Sequence, residues 1–133
     1  MKWSFLSLSL MIYSCASRPQ LLDYISLPPP QEVSARLTAE GLVVSWELPP
    51  PYLLARIEQF NVYVSPKSLL YTPIEALPQP ACVADRKQTR CVIKDVEGAR
   101  DLFIHVRSQN SKGDLSLPSL PEIHLRPAQP SEK

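Results

Sequence analysis

From about residue 33 to residue 126, apolar and polar side chains alternate with a period of two, the signature of strands buried on one face. Val33, Ala35 and Leu37 alternate with Ser34, Arg36 and Thr38, and Glu40-Gly41 then reads as a turn. Leu42, Val44 and Trp46 share one face of the next strand, opposite Val43, Ser45 and Glu47, and Pro49-Pro50-Pro51 ends it. Phe60, Val62 and Val64 repeat the pattern against Asn61, Tyr63 and Ser65. Cys91 and Ile93 begin another strand. Leu102, Ile104, Val106 and Ser108 then face one way while Phe103, His105 and Arg107 face the other, and residues 123–126 form a final candidate. Six or seven short strands without an amphipathic helix predict an antiparallel β-sandwich.

Fifteen prolines against three glycines fit this reading, since proline interrupts the chain too often for long helices. The prolines also mark the flanks. Residues 15–29 read as a tether that ends in Pro28-Pro29-Pro30, a stiff polyproline segment rising about 3.1 Å per residue. Leu21, Leu22, Tyr24 and Ile25 are too apolar for a plain spacer and are expected to pack on the domain or lie at a membrane surface. Residues 30–127 form the domain, and residues 128–133 a disordered tail. Residues 66–90 stand where a short strand connection would suffice, and long ordered loops on sandwiches are frequent binding surfaces.

The amino terminus carries a different signal. Lys2 precedes an apolar run over residues 5–13 and the small residue Ser14, the layout of an export signal. The run is short of the roughly 20 apolar residues that span a bilayer as a helix. Met11-Ile12-Tyr13-Ser14-Cys15 resembles the lipobox of bacterial lipoproteins, although Tyr13 is bulkier than usual there. That resemblance implies a signal peptide over residues 1–14, cleavage before Cys15, and a thioether-linked diacylglycerol with palmitate-type chains on its sulfur. An ordinary secretory signal with an incidental cysteine is the alternative. Ala16 and Ser17 lack the acidic residue associated with inner-membrane retention, so lipid anchoring at the cell membrane or, in a two-membrane envelope, at the outer membrane is expected.

Removing the first 14 of 133 residues leaves 119, enough for one domain with a core. The formal charge of +1 includes Lys2, so the mature chain is near neutral and its charges are scattered. No basic stripe suits a phosphate backbone, so no nucleic-acid partner is expected. Assigning Cys15 to lipid leaves Cys82 and Cys91, an even pair for which a disulfide is expected in an oxidising compartment, free structural thiols being the alternative. A bridge closing so short a loop stabilises by about 2–3 kcal/mol. A zinc site is a poor rival with no CxxC pair and two histidines, His105 and His124.

The strand residues resemble the fibronectin type III family across the domain. Pro30-Gln31-Glu32-Val33 matches its proline-rich start and first strand, and Leu42-Val43-Val44-Ser45-Trp46-Glu47-Leu48-Pro49 its core-tryptophan strand. Phe60-Asn61-Val62-Tyr63-Val64 matches the third strand, with Val64 in place of a second aromatic. Val96, Leu102, Arg107, Asn110 and Gly113 fall in the register of its penultimate strand, followed by Leu117-Pro118-Ser119. The resemblance implies an all-β, immunoglobulin-like sandwich preceded by the lipoprotein signal peptide. Leu102 stands where the family places its corner tyrosine, removing one hydrogen bond of about 1 kcal/mol, which a Cys82–Cys91 bridge offsets.

Among residues that invite a functional reading, Trp46 is in phase with the core. Tyr63, Phe103, His105 and Arg107 lie opposite the core on strands that pair in type III domains, and so form a candidate partner surface, although a partly covered outer face is the preferred reading. His105 has no nucleophile in a recognisable motif, so no enzyme is expected. Asp95, Glu97 and Asp101 read as solvated turn charges, and neither a metal nor a cofactor is expected. The expected function is a membrane-anchored envelope lipoprotein whose sandwich binds a protein or glycan, the alternative being a spacer subunit of a larger assembly.

Overall fold

The computed structural model describes residues 18–96 and 100–127. Residues 1–14, expected as a signal peptide, Cys15, the expected tail at 128–133 and Glu97 lie outside the described residues. Seven strands follow in order: β1 (Gln31–Thr38), β2 (Gly41–Glu47), β3 (Gln59–Ser65), β4 (Cys82–Asp85), β5 (Arg90–Ile93), β6 (Leu102–Gln109) and β7 (Ile123–Leu125). One sheet has the order β1-β2-β5 and the other β4-β3-β6-β7, every pairing within them antiparallel. One helical turn, α1 (Pro51–Leu54), joins β2 to β3. Pro51 starts it because its fixed φ suits the first helical position.

The period-two pattern places Leu42, Val44 and Trp46 of one sheet against Phe60, Val62, Ile104 and Val106 of the other. The Trp46 and Phe60 rings meet with centroids 5.5 Å apart. The β1–β2 hairpin turns at Gly41, whose φ of +135° is open to glycine and where a Cβ would strike the Ile93 carbonyl oxygen. The Thr38 hydroxyl closes the turn, donating to the Gly41 carbonyl at 3.1 Å and accepting from Glu40 N–H at 3.2 Å. Leu102, in the corner position, is buried in the core. Each of the six strands expected from the pattern is present.

Two differences matter for function. Residues 66–90, expected as one long connection, contain β4 and a 3-10 turn, Ile74–Ala76. β4 was hidden because only four residues pair, and Val83 among them is exposed. The tether is the second difference. Leu27 is fully buried, Leu22 packs against the core, and the Pro28 carbonyl accepts a 2.7 Å hydrogen bond from the Ser108 hydroxyl. Leu21 bridges to Leu115, where Leu22 N–H donates to the Leu115 carbonyl at 2.8 Å and Leu115 N–H to the Gln20 carbonyl at 2.9 Å. From residue 18 onward the segment is part of the domain.

Candidate functional site

Antiparallel pairing of β3 with β6 sets Tyr63 opposite His105, Asn61 opposite Arg107 and Ser65 opposite Phe103 on the outer face of the four-stranded sheet. The pattern therefore brings the four candidate residues together as expected. Tyr63 and His105 stack with centroids 5.1 Å apart, and Phe103 stacks on His124 of β7 at 4.2 Å. His124 Nε2 also lies 2.9 Å from a carboxylate oxygen of Asp101.

The face is not open: the covered outer face holds, and the exposed patch that would have offered a partner surface does not. Tyr63 is buried, His105 is 0% exposed and Arg107 is 2% exposed, leaving Phe103 half-buried. Chain that carries no strand pattern surrounds it: residues 74–80 lie over Asn61 and Tyr63, and residues 115–119 close the edge of β6. Ser116 N–H donates to the Ser108 carbonyl and Ser119 N–H to the Val106 carbonyl, both at 2.9 Å. The Ser116 and Ser119 hydroxyls in turn accept from Ser108 and Val106 N–H. This laces residues 115–119 along β6, and the Arg107 guanidinium donates through Nη1 to the Ser116 carbonyl at 3.0 Å.

Arg107 also donates from Nε to His105 Nε2 at 3.1 Å, which keeps the imidazole neutral with its proton on Nδ1. That Nδ1 has no hydrogen-bond partner among the described residues. Burial, reinforced by the neighbouring guanidinium, pushes the His105 pKa down to about 3. Burial also lowers the Arg107 pKa, with the Tyr63 hydroxyl opposing it. The imidazole is thus held buried and neutral between Tyr63 and Arg107.

Two concave surfaces escaped the sequence reading. One, about 390 Å³, runs over Gln59, Asn61, Tyr63 and Gln109 beneath Leu77 and Pro80. Its floor is an amide ladder: Gln59 Nε2 donates to Gln109 Oε1 at 2.6 Å and to Asn61 Oδ1 at 3.0 Å, and Asn61 Nδ2 donates to Gln109 Oε1 at 3.1 Å. The signal was present, since these amides are in phase with Tyr63 and Arg107. The other, about 260 Å³, is lined by Tyr24, Pro29, Pro30, Leu117, Pro118 and Leu120 beside the start of β1. Tyr24, Leu117 and Leu120 are exposed there. No local period marks this groove, because three separate segments build it.

Cys82 and Cys91 form a disulfide with a Cα–Cα separation of 6.6 Å. It ties β4 of one sheet to β5 of the other, holding the end of the long connection in place.

The fibronectin type III domain profile matches residues 28–124. No curated protein matches the chain closely enough to count as a relative. Among solved structures, an Fn3-like protein from Clostridium thermocellum is 19% identical with a TM-score of 0.55, covering 80% of this chain and 99% of that one. The FN1–FN3 domains of chicken CNTN1 are 16% identical with a TM-score of 0.55, covering 81% of this chain and 32% of that one. The central fibronectin-III array of RIM-binding protein is 18% identical with a TM-score of 0.56, covering 76% of this chain and 32% of that one. This chain thus spans about a third of those two arrays.

Proposed function

The chain belongs to the fibronectin type III domain family, and from that premise we propose that it is a non-catalytic binding module held at a bacterial cell-envelope membrane by an acylated Cys15. The observation that carries this reading is the fate of the cysteines. The disulfide accounts for two of the three, which leaves Cys15 over, directly after the export-type segment and Ser14. A bridge of this kind supports an oxidising, extracytoplasmic setting. Two or more acyl chains give stable membrane anchoring, so no spanning helix is needed. The Tyr24/Leu117/Leu120 groove supports the binding role: it is concave and open, and joins proline, leucine and tyrosine surface to the polar Gln31 and Glu32, a lining that suits a protein segment or a glycan.

Cys15→Ala tests the anchor. The variant is expected in the soluble fraction or retained as precursor, while the parent fractionates as a mature, detergent-extractable membrane protein; a membrane-bound mature variant contradicts the reading. Crosslinking in native cells, followed by mass spectrometry, identifies the partner.

The same exposed groove favours a second reading, a spacer subunit whose apolar patch is covered by a neighbouring subunit of an envelope assembly. Hydrophobic-dye binding to the isolated domain that Leu120→Ser abolishes, together with a stable high-mass complex in native extracts, favours this alternative over transient binding.

A further inference from the structure

The docked amino-terminal segment has a consequence for how the domain sits once anchored. We infer that the outer side of the four-stranded sheet, at the residue 71–75 stretch of the long connection, lies against the phospholipid bilayer, and that the β1-β2-β5 sheet faces away from it. This inference rests on the lipid anchor proposed above. The reach of the chain is its first support. Five residue steps separate Cys15 from Gln20, whose N–H and carbonyl are the first backbone groups held by the domain, and five extended residues span at most about 18 Å. That length is comparable to the polar headgroup layer plus one Debye length, so a Cys15 held at the acyl boundary keeps Arg18 at the surface.

The second support is where Arg18 lies. Arg18, Pro19 and Leu21 line a broad open depression of about 800 Å³ together with Pro73, Ile74 and Glu75 of the long connection. The short leash therefore ends beside this stretch, over the sheet that carries Tyr63, since Pro19 also borders the groove above Asn61 and Tyr63. The leash does not lengthen without undocking. Leu115 holds residues 20–22 by two backbone hydrogen bonds, and Gln20 N–H donates to the Asp114 carboxylate at 3.1 Å.

The third support is an exposed side chain without a packing role. Tyr71, two residues before Pro73, is 97% exposed, and Leu21 on the leash is 49% exposed. Tyrosine favours the headgroup level, where its apolar ring and polar hydroxyl are both satisfied. On the other sheet, Ser34 and Arg36 of β1 are exposed on the side turned away from the core.

The test uses ¹⁵N-labelled residues 15–133, with Cys15 as the one free thiol, coupled to a maleimide-headgroup lipid in nanodiscs of POPE and POPG (3:1) that also carry a gadolinium-headgroup lipid. The Tyr71 and Glu75 amides are expected to broaden at least threefold more than those of Ser34 and Arg36. Replacing Tyr71 and Ile74 by serine is expected to reduce that contrast by at least half while leaving the fold's spectrum unchanged. Uniform broadening, or stronger broadening at Ser34 and Arg36, overturns the orientation. Intact-mass analysis of native protein separates the two claims: absence of lipid on Cys15 removes the anchor on which the orientation depends, whereas lipidated protein with uniform broadening removes the orientation alone.

Discussion

The two sheets of the sandwich start from the same alternating pattern and end in different surroundings. On the edge strand β1, the outward residues Ser34 and Arg36 are exposed, as half-buried strands require, while on β2 the outward Val43 is buried and Ser45 half-buried. On β3 and β6, the outward Asn61, Tyr63, His105 and Arg107 are buried almost as fully as the core-facing Phe60, Val62, Ile104 and Val106. Alternation separates two faces of a strand but does not say whether the second face meets water. That depends on residues 18–22, 66–81 and 115–119, which reach the four-stranded sheet from elsewhere in the chain. Polar side chains beneath such a cover need partners, and the Arg107, Ser116 and Ser119 bonds supply them.

Substitutions that fall differently on the two sheets sharpen this contrast. The largest effect belongs to what they share: Phe60→Ala opens a cavity in the common core and is expected to cost about 3–5 kcal/mol, lowering the urea midpoint by every probe at once. Next is acid. His105 has a folded-state pKa of about 3 against an ordinary 6.5, so the unfolded chain binds the extra proton between those values. This contribution is then complete above about pH 6.5 and falls as pH drops toward 3, by at most about 5 kcal/mol. His105→Gln is expected to flatten that slope in denaturation curves taken across the window.

Reducing the Cys82–Cys91 bridge, which joins the sheets, is expected to lower stability by about 2–3 kcal/mol, read as the shift in melting with and without reductant. Arg107→Ala strips partners from the Ser116 carbonyl and His105 Nε2 and is expected to cost about 1–3 kcal/mol. Arg36→Ala, on the open sheet, is expected to stay within about 0.5 kcal/mol. Equal losses at the two arginines break the comparison. Smallest of all is Tyr71→Ser, expected within about 0.5 kcal/mol of the parent in melting experiments because the ring touches no core.

What was legible in the sequence follows the same division. Trp46, Phe60 and Val62 announced their faces because strand geometry is local, and the pairing of Tyr63 with His105 followed once the family resemblance named the neighbouring strands. The burial of His105 and Arg107 was not legible, since residues 115–119 and the long connection carry prolines and serines without a period. Leu21 and Leu22 were ambiguous for a related reason: an apolar residue beside a proline run has no register until its partner, Leu115, is placed. The Tyr24/Leu117 groove was invisible because its walls lie more than ninety residues apart in the chain.

The account turns on the chemistry of Cys15, and the most direct measurement is the intact mass of the protein purified from its native membrane. The predicted result is a chain beginning at residue 15, carrying a diacylglycerol thioether on that sulfur and short of two hydrogens at Cys82 and Cys91. A chain that retains residues 1–14 with an unmodified Cys15 contradicts it.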